Sequence, residues 1–197
     1  MKKGERRKQE LLEIAYKMFL SKGYENTSVD DIIAEAGIAK GTYYYYFPSK
    51  EQTLEEVIDL MLDKETERAK AILASDYPIE QKLVGIIASF RPDEAEMTIK
   101  DALHEQENLL MHEKIKNKLM DRMVPLVCEV AEQGVREGKF SCDNIPERVK
   151  MIIILSNEVF DSDNYTETDI AVFIDTIERM LYAKPGSMAF IAQLVRK

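Results

Sequence analysis

Residues 27–58 read "TSVDDIIAEAGIAKGTYYYYFPSKEQTLEEVI", and this stretch decides the fold. Ser28 is a natural N-cap three residues ahead of Asp31. Val29, Ile32, Ile33 and Ala36 then recur at helical spacing until Gly37 stops the run. After the joint "GIA" at 37–39, residues 40–47 have room for two helical turns before Pro48 and Ser49 break them. Ser49 and Gln52 form an S-x-x-Q capping box for a fourth helix, whose Leu54, Val57, Ile58, Met61 and Leu62 carry the pattern beyond residue 70. Two short helices joined by a tight turn with a glycine predict a helix-turn-helix, the unit whose second helix enters the DNA major groove. Spacing alone also fits helix pairs that never touch DNA, so the residues have to discriminate.

The second of these helices holds four consecutive tyrosines and then a phenylalanine, in a chain with nine Tyr, seven Phe and no Trp. At about 100° per residue, Tyr43 and Phe47 share one face, led into by Ile38, and are predicted to pack on the first two helices. Tyr44 and Tyr45 fall on other faces. There their hydroxyls can reach phosphate oxygens or base edges while the rings lie against a sugar or a thymine methyl. Thr42 offers a hydroxyl and a methyl to a base edge, Lys40 a charge for phosphate or guanine, and Gly41 a close backbone approach. Lys50 opens the fourth helix, where free N–H groups and the macrodipole favour a phosphate, and Ser28 can add a phosphate contact to its capping role.

Working outward, Leu11, Leu12, Ala15, Phe19 and Leu20 mark an amphipathic helix over 5–22 closed by Gly23. Further helices are predicted from Pro78, placed in the first turn, over 92–110, over 113–137 with a kink near Arg122 caused by Pro125, over 146–160 and over 166–182. A last short one follows Pro185. No strand, repeat or low-complexity linker is evident, so the fold class is all-α.

The net charge of −9 is unevenly spread. Residues 1–50 hold nine Lys or Arg against seven Asp or Glu, a balance of +2, and the remainder holds eighteen against twenty-nine, a balance of −11. A mildly basic head can meet a polyanion while an acidic body stays beyond a Debye length of roughly 8–10 Å. Lys2, Lys3, Arg6, Arg7 and Lys8 form a basic arm suited either to a DNA backbone or simply to water.

The same stretch resembles the TetR family of transcriptional regulators, whose signature runs from a Ser/Thr-capped helix through G-[VI]-x-K-G-T-x-Y-x-[YH]-F to a Ser-Lys-Glu helix start. The close resemblance covers residues 8–58, and the "GVREGKF" turn at 134–140 is also similar. It implies a DNA-binding domain at 1–48, a helical regulatory domain at 49–197 for ligand binding and dimerisation, and a phosphate contact at Lys50. It also implies a backbone contact at Tyr46, whose own projection is ambiguous. Ile33 departs from the family pattern, which often has a small Ala packed under the recognition helix. The implied function is a homodimeric repressor on a palindromic double-stranded DNA operator, released by a small-molecule effector. The runs "VKMIIILSNEVF" and "DIAVFIDTIERML", apolar around much of their circumference, independently suggest burial against a second subunit.

Nothing in the sequence names the effector. Met97, Met111, Met120, Met123 and Met151 suit either an adaptable pocket or plain core. His104, Asn108 and His112 form one helical stripe, and the candidate pocket residues are His104, Asn108, Met111 and Met123. The two histidines stand roughly 12 Å apart along a helix, too far to share one metal at ~2 Å bond lengths, so no metal or other cofactor is expected. Cys128 and Cys142 read as free thiols in a cytoplasmic protein, and no eighteen-residue apolar run predicts a membrane span or signal peptide. Phosphate loops, G-x-S-x-G, H-E-x-x-H and C-x-x-C are all missing, which argues against an enzyme. The remaining rival is an all-α ligand-binding or interaction module with a vestigial helix-turn-helix. Retention of Lys40 and Lys50 argues against it.

Overall fold

Caps and periodicity place the helices largely where the sequence predicts them. The computed structural model describes residues 3–91, 109–160 and 164–195, with side chains from 4 and, after the gap, from 113. The helices are α1 Lys3–Lys22, α2 Val29–Ala36, α3 Lys40–Tyr46, α4 Lys50–Leu73 and α5 Ile79–Ser89. They continue with α6 Leu109–Arg136, α7 Ile145–Phe160 and α8 Glu167–Leu181, then a 3-10 turn Ala189–Ile191 that runs into α9 Ala192–Val195. Among the described residues there is no strand, and the protein is all-α.

Three boundaries differ from expectation. Helix α1 starts at Lys3, so Arg6, Arg7 and Lys8 lie on its first turns rather than on an arm. Pro78 is the N-cap of α5 and precedes its first turn, with an extended ψ of 153°. Helix α6 begins at Leu109, ahead of Glu113, and carries Pro125 inside one continuous helix. The helix expected over 92–110 lies outside the described residues except for its last two positions.

The chain divides into two compact units, Met1–Lys64 with Pro92–Lys118, and Glu65–Arg91 with Leu119–Lys197. The division falls inside α4 and inside α6. In the first unit, Leu11, Ala15 and Phe19 of α1 are fully buried, as are Ile32 of α2, Tyr43 of α3, Phe47 just after it and Val57 of α4. Each large apolar side chain taken fully from water contributes about 1.5–3 kcal/mol, and this cluster is what fixes α3 on its neighbours. In the second unit, Ile79, Ile86, Val130, Phe140, Phe173 and Ile177 are buried. There Gly134 lies under the Phe140 ring, where any Cβ would overlap it. The "GVREGKF" turn therefore needs its first glycine for packing. Thr166 caps α8 in a reciprocal box with Asp169, the same device that starts α2.

Candidate nucleic-acid interface

The helix-turn-helix is set by its caps. At the start of α2, Ser28 Oγ accepts from the Asp31 N–H at 3.1 Å, and Asp31 Oδ2 accepts from the Ser28 N–H at 2.9 Å and its hydroxyl at 2.6 Å. Those donors hold the Asp31 carboxyl below its ordinary range, the Ser28 hydroxyl most of all. Gly37 ends α2 with φ of 60°, a left-handed conformation that glycine adopts without strain, and its N–H donates to Ala34 O at 3.2 Å. Ile38 then donates back to Ile33 O at 3.3 Å, and α3 starts after an extended Ala39. Ile33 is half-buried beside the fully buried Ile32.

The tyrosine run separates by face. Tyr43 and Phe47 are 0% exposed, with ring centroids 5.6 Å apart. The Tyr43 hydroxyl is 2.5 Å from Thr53 Oγ1, and the Thr53 hydroxyl donates to Ser49 O at 3.1 Å. That uses the only Thr53 proton, so Tyr43 is the donor, and burial pushes its phenol up from the ordinary range. A buried hydroxyl thus finds its partner on α4, which locks the start of α4 to α3. Tyr44 and Tyr45 are 44% and 81% exposed. Tyr44 lies edge-on to Tyr43 at 5.4 Å, and Tyr45 edge-on to Tyr46 at 5.0 Å, so both exposed rings are braced by neighbours.

Tyr46 is half-buried and lines an open groove of about 490 Å³ with Gly4, Arg6, Arg7 and Glu10. Arg7 donates to Glu10 at 2.9 Å and to Ala36 O at 3.3 Å, and Lys8 pairs with Glu56 at 2.6 Å. The basic start of α1 is therefore partly spent on holding α1, α2 and α4 together. Gly41 is exposed, its φ is not positive, and a Cβ there would meet nothing within 4 Å. Internal packing leaves room for a larger residue. Thr42 is half-buried.

The two cations flank α3 differently. Lys40 is exposed and donates to Asp30 Oδ1 at 3.0 Å, across the turn from the first turn of α2, and that hydrogen bond raises its pKa. Lys50 sits 4.0 Å above the centre of the Tyr24 ring. Tyr24 is itself buried, which lifts its phenol far above the ordinary range, with the nearby Glu51 charge adding to the effect. Asp30, Tyr24 and Thr53 are contributors that the sequence reading missed. Each acts across a separation that no local pattern records.

Of the candidate pocket residues, Met123 is buried on α6. Met111 lies on α6 with its side chain outside the described residues, and His104 and Asn108 lie outside them altogether. Among the described residues no group of His, Cys, Asp or Glu is arranged to hold a metal, and no helix is long and apolar enough to cross a membrane.

A capped helix-turn-helix whose second helix presents hydroxyls, a threonine and flanking lysines defines the class, a helix-turn-helix DNA-binding protein. Residues 11–57 match the family model described as bacterial regulatory proteins, tetR family. The HTH-type transcriptional repressor KstR2 of Mycolicibacterium smegmatis is 33% identical over 142 residues, which cover 70% of this chain and 69% of the relative. Solved structures of a transcriptional regulator from Cytophaga hutchinsonii and a TetR regulator from Chloroflexus aurantiacus share the fold. Their TM-scores are 0.62 and 0.59, with 19% and 21% identity. The first alignment covers 94% of this chain and 96% of the other, the second 98% of each. The chain belongs to the tetR family and is a DNA-binding transcriptional regulator.

Proposed function

We propose that this regulator is a homodimeric repressor that binds a palindromic operator through residues 1–48 and is released when a small molecule occupies the helical domain that follows. The observation that carries the DNA half of the reading is the division of the tyrosine run: one pair buried, one pair braced and exposed. In this reading Tyr44, Tyr45 and Thr42 meet base edges or sugars. Tyr46, Lys50 and Ser28 meet phosphates, Lys40 meets a guanine or a phosphate, and Gly41 lets the backbone close on the DNA. The open space around Gly41 supports that last role, since packing within the chain does not exclude a side chain there.

The dimer half is supported by α7 and α8, where Met151, Ile154, Leu155 and Val172 are exposed. Apolar side chains at that density on two helices favour a second apolar surface. A twofold pair would set two recognition helices roughly 34–36 Å apart, one DNA turn, which is why a palindrome is expected. Repression is supported by the relative's description as a repressor. His104, Asn108, Met111 and Met123 are proposed to line the effector pocket. An effector releases DNA only through its differential affinity for the two states.

Footprinting on the DNA flanking the protein's own gene tests the reading. A protected, two-fold symmetric site is expected, and no protection even at low salt, where phosphate contacts are strongest, would refute it. No enzymatic role is proposed, because the relatives are regulators and the groups around α3 are arranged for contact.

A further inference from the structure

The DNA-facing edge of the helix-turn-helix carries an acid that no account of attraction to DNA explains. Asp30 is on the first turn of α2, and its side chain is 74% exposed. Its neighbour Asp31 is committed to the Ser28 capping box, but Asp30 takes no part in that box. Its carboxylate instead accepts from Lys40 at 3.0 Å, and the Lys40 side chain is 63% exposed. Wherever the Lys40 ammonium is presented in this conformation, a carboxylate is presented beside it. An exposed pair of this kind is only weakly stabilising, so contact with DNA can open it or share it.

We infer that Asp30 is a specificity residue: by holding Lys40 and adding a negative charge beside α3, it weakens binding to non-cognate DNA more than binding to the operator. This rests on the reading of α3 as the recognition helix. On random DNA the available partners are mostly phosphates. Lys40 must then leave Asp30 to reach one, and the carboxylate is left facing the polyanion, a like-charge juxtaposition. On a cognate site the pair can be satisfied whole. Lys40 donates to guanine O6 or N7 while Asp30 accepts from the cytosine N4 amino group, the two contacts that a lysine and a carboxylate make in the major groove. Acidic residues therefore raise the ratio of specific to non-specific binding even where they lower total attraction. The head suits this arrangement, because its modest balance of +2 over residues 1–50 leaves non-specific attraction small.

The test uses the full chain. An operator is first selected from a random DNA library with the wild-type protein. Affinities for that operator and for random-sequence duplex are then measured against salt for wild type, Asp30→Asn, Lys40→Met and the double variant. Asp30→Asn is expected to tighten binding to random duplex on the order of fivefold, with a steeper salt dependence, as expected when Lys40 is freed for one more phosphate. Operator affinity should stay the same or fall, and the gain on random duplex should vanish when Lys40→Met is also present. Equal changes on both DNAs, no change on either, or a gain that persists without Lys40 would each overturn the inference. Thermal unfolding of Asp30→Asn separates these results from loss of a favourable charge on the first turn of α2. A wild type that selects no sequence would instead refute the DNA-binding site itself.

Discussion

The large exposed side chains of α3 and those of α7 and α8 are opposite in chemistry. On α3 the exposed residues are Tyr44 and Tyr45, each with a hydroxyl and each braced edge-on by another tyrosine. On α7 and α8 they are Met151, Ile154, Leu155 and Val172, which offer no strong hydrogen-bonding atom. The aliphatic set gains only by leaving water, so it suits an apolar partner. The phenols gain stacking area as well, but their hydroxyls must find acceptors or donors when covered, so they suit a polar partner such as nucleic acid. Exposure alone does not distinguish the two surfaces; the polar handle does.

The aliphatic surface gives the largest expected effect. Ile154→Glu combined with Val172→Glu should leave folded monomers by sedimentation. Operator affinity should then fall about 10²–10⁴-fold, because the second half-site is no longer bound intramolecularly. A dimer that survives both charges would assign that surface to something else.

Within α3 the next test sets buried against exposed. Phe47→Ala or Tyr43→Ala should lower unfolding stability by roughly 3–5 kcal/mol. Tyr45→Ala should stay within about 0.5 kcal/mol while weakening operator binding by about 1–3 kcal/mol. Denaturant melts and gel shifts on the same variants read both quantities. The reverse pattern would undo the assignment of faces.

A smaller effect sharpens the point at Gly41. Because a Cβ there meets nothing, Gly41→Ala should raise thermal stability by up to roughly 0.5–1 kcal/mol. It should nevertheless weaken DNA binding if Gly41 is where the backbone closes on DNA, as proposed. Stability and binding that rise together would remove Gly41 from the interface.

The smallest expected effect is acidic. Asp31 is held below its ordinary range by Ser28, so its contribution is fully present above the unfolded carboxyl value of about 3.9. It is lost as pH falls through the lower folded value. Asp31→Asn should therefore lower the melting temperature near neutrality, and the difference from wild type should shrink at acid pH. A difference that stays constant with pH would mean that Asp31 contributes shape and not charge.

The order of the described helices, the cap of α2 and the division of "KGTYYYYF" into core and exposed faces are all legible in the sequence alone. These rest on local rules. A Ser three residues before an Asp closes a box, and a 100° step per residue sorts neighbouring tyrosines whatever else the chain does. The regularity of the α3 signature likewise made the family legible from residues 27–58.

Which partners these residues keep follows from tertiary packing instead. Lys40 meets Asp30 ten positions away, Tyr43 donates to Thr53 ten positions on, Lys50 rests on Tyr24, and Lys8 pairs with Glu56 forty-eight positions along. None of these pairs lies at an i, i+3 or i, i+4 spacing, so no periodicity predicts them; they exist because packing brings α1, α2, α3 and the start of α4 within a few ångströms. That is why the sequence could name Lys40 as a cation for DNA, while only the fold showed that an acid already holds it.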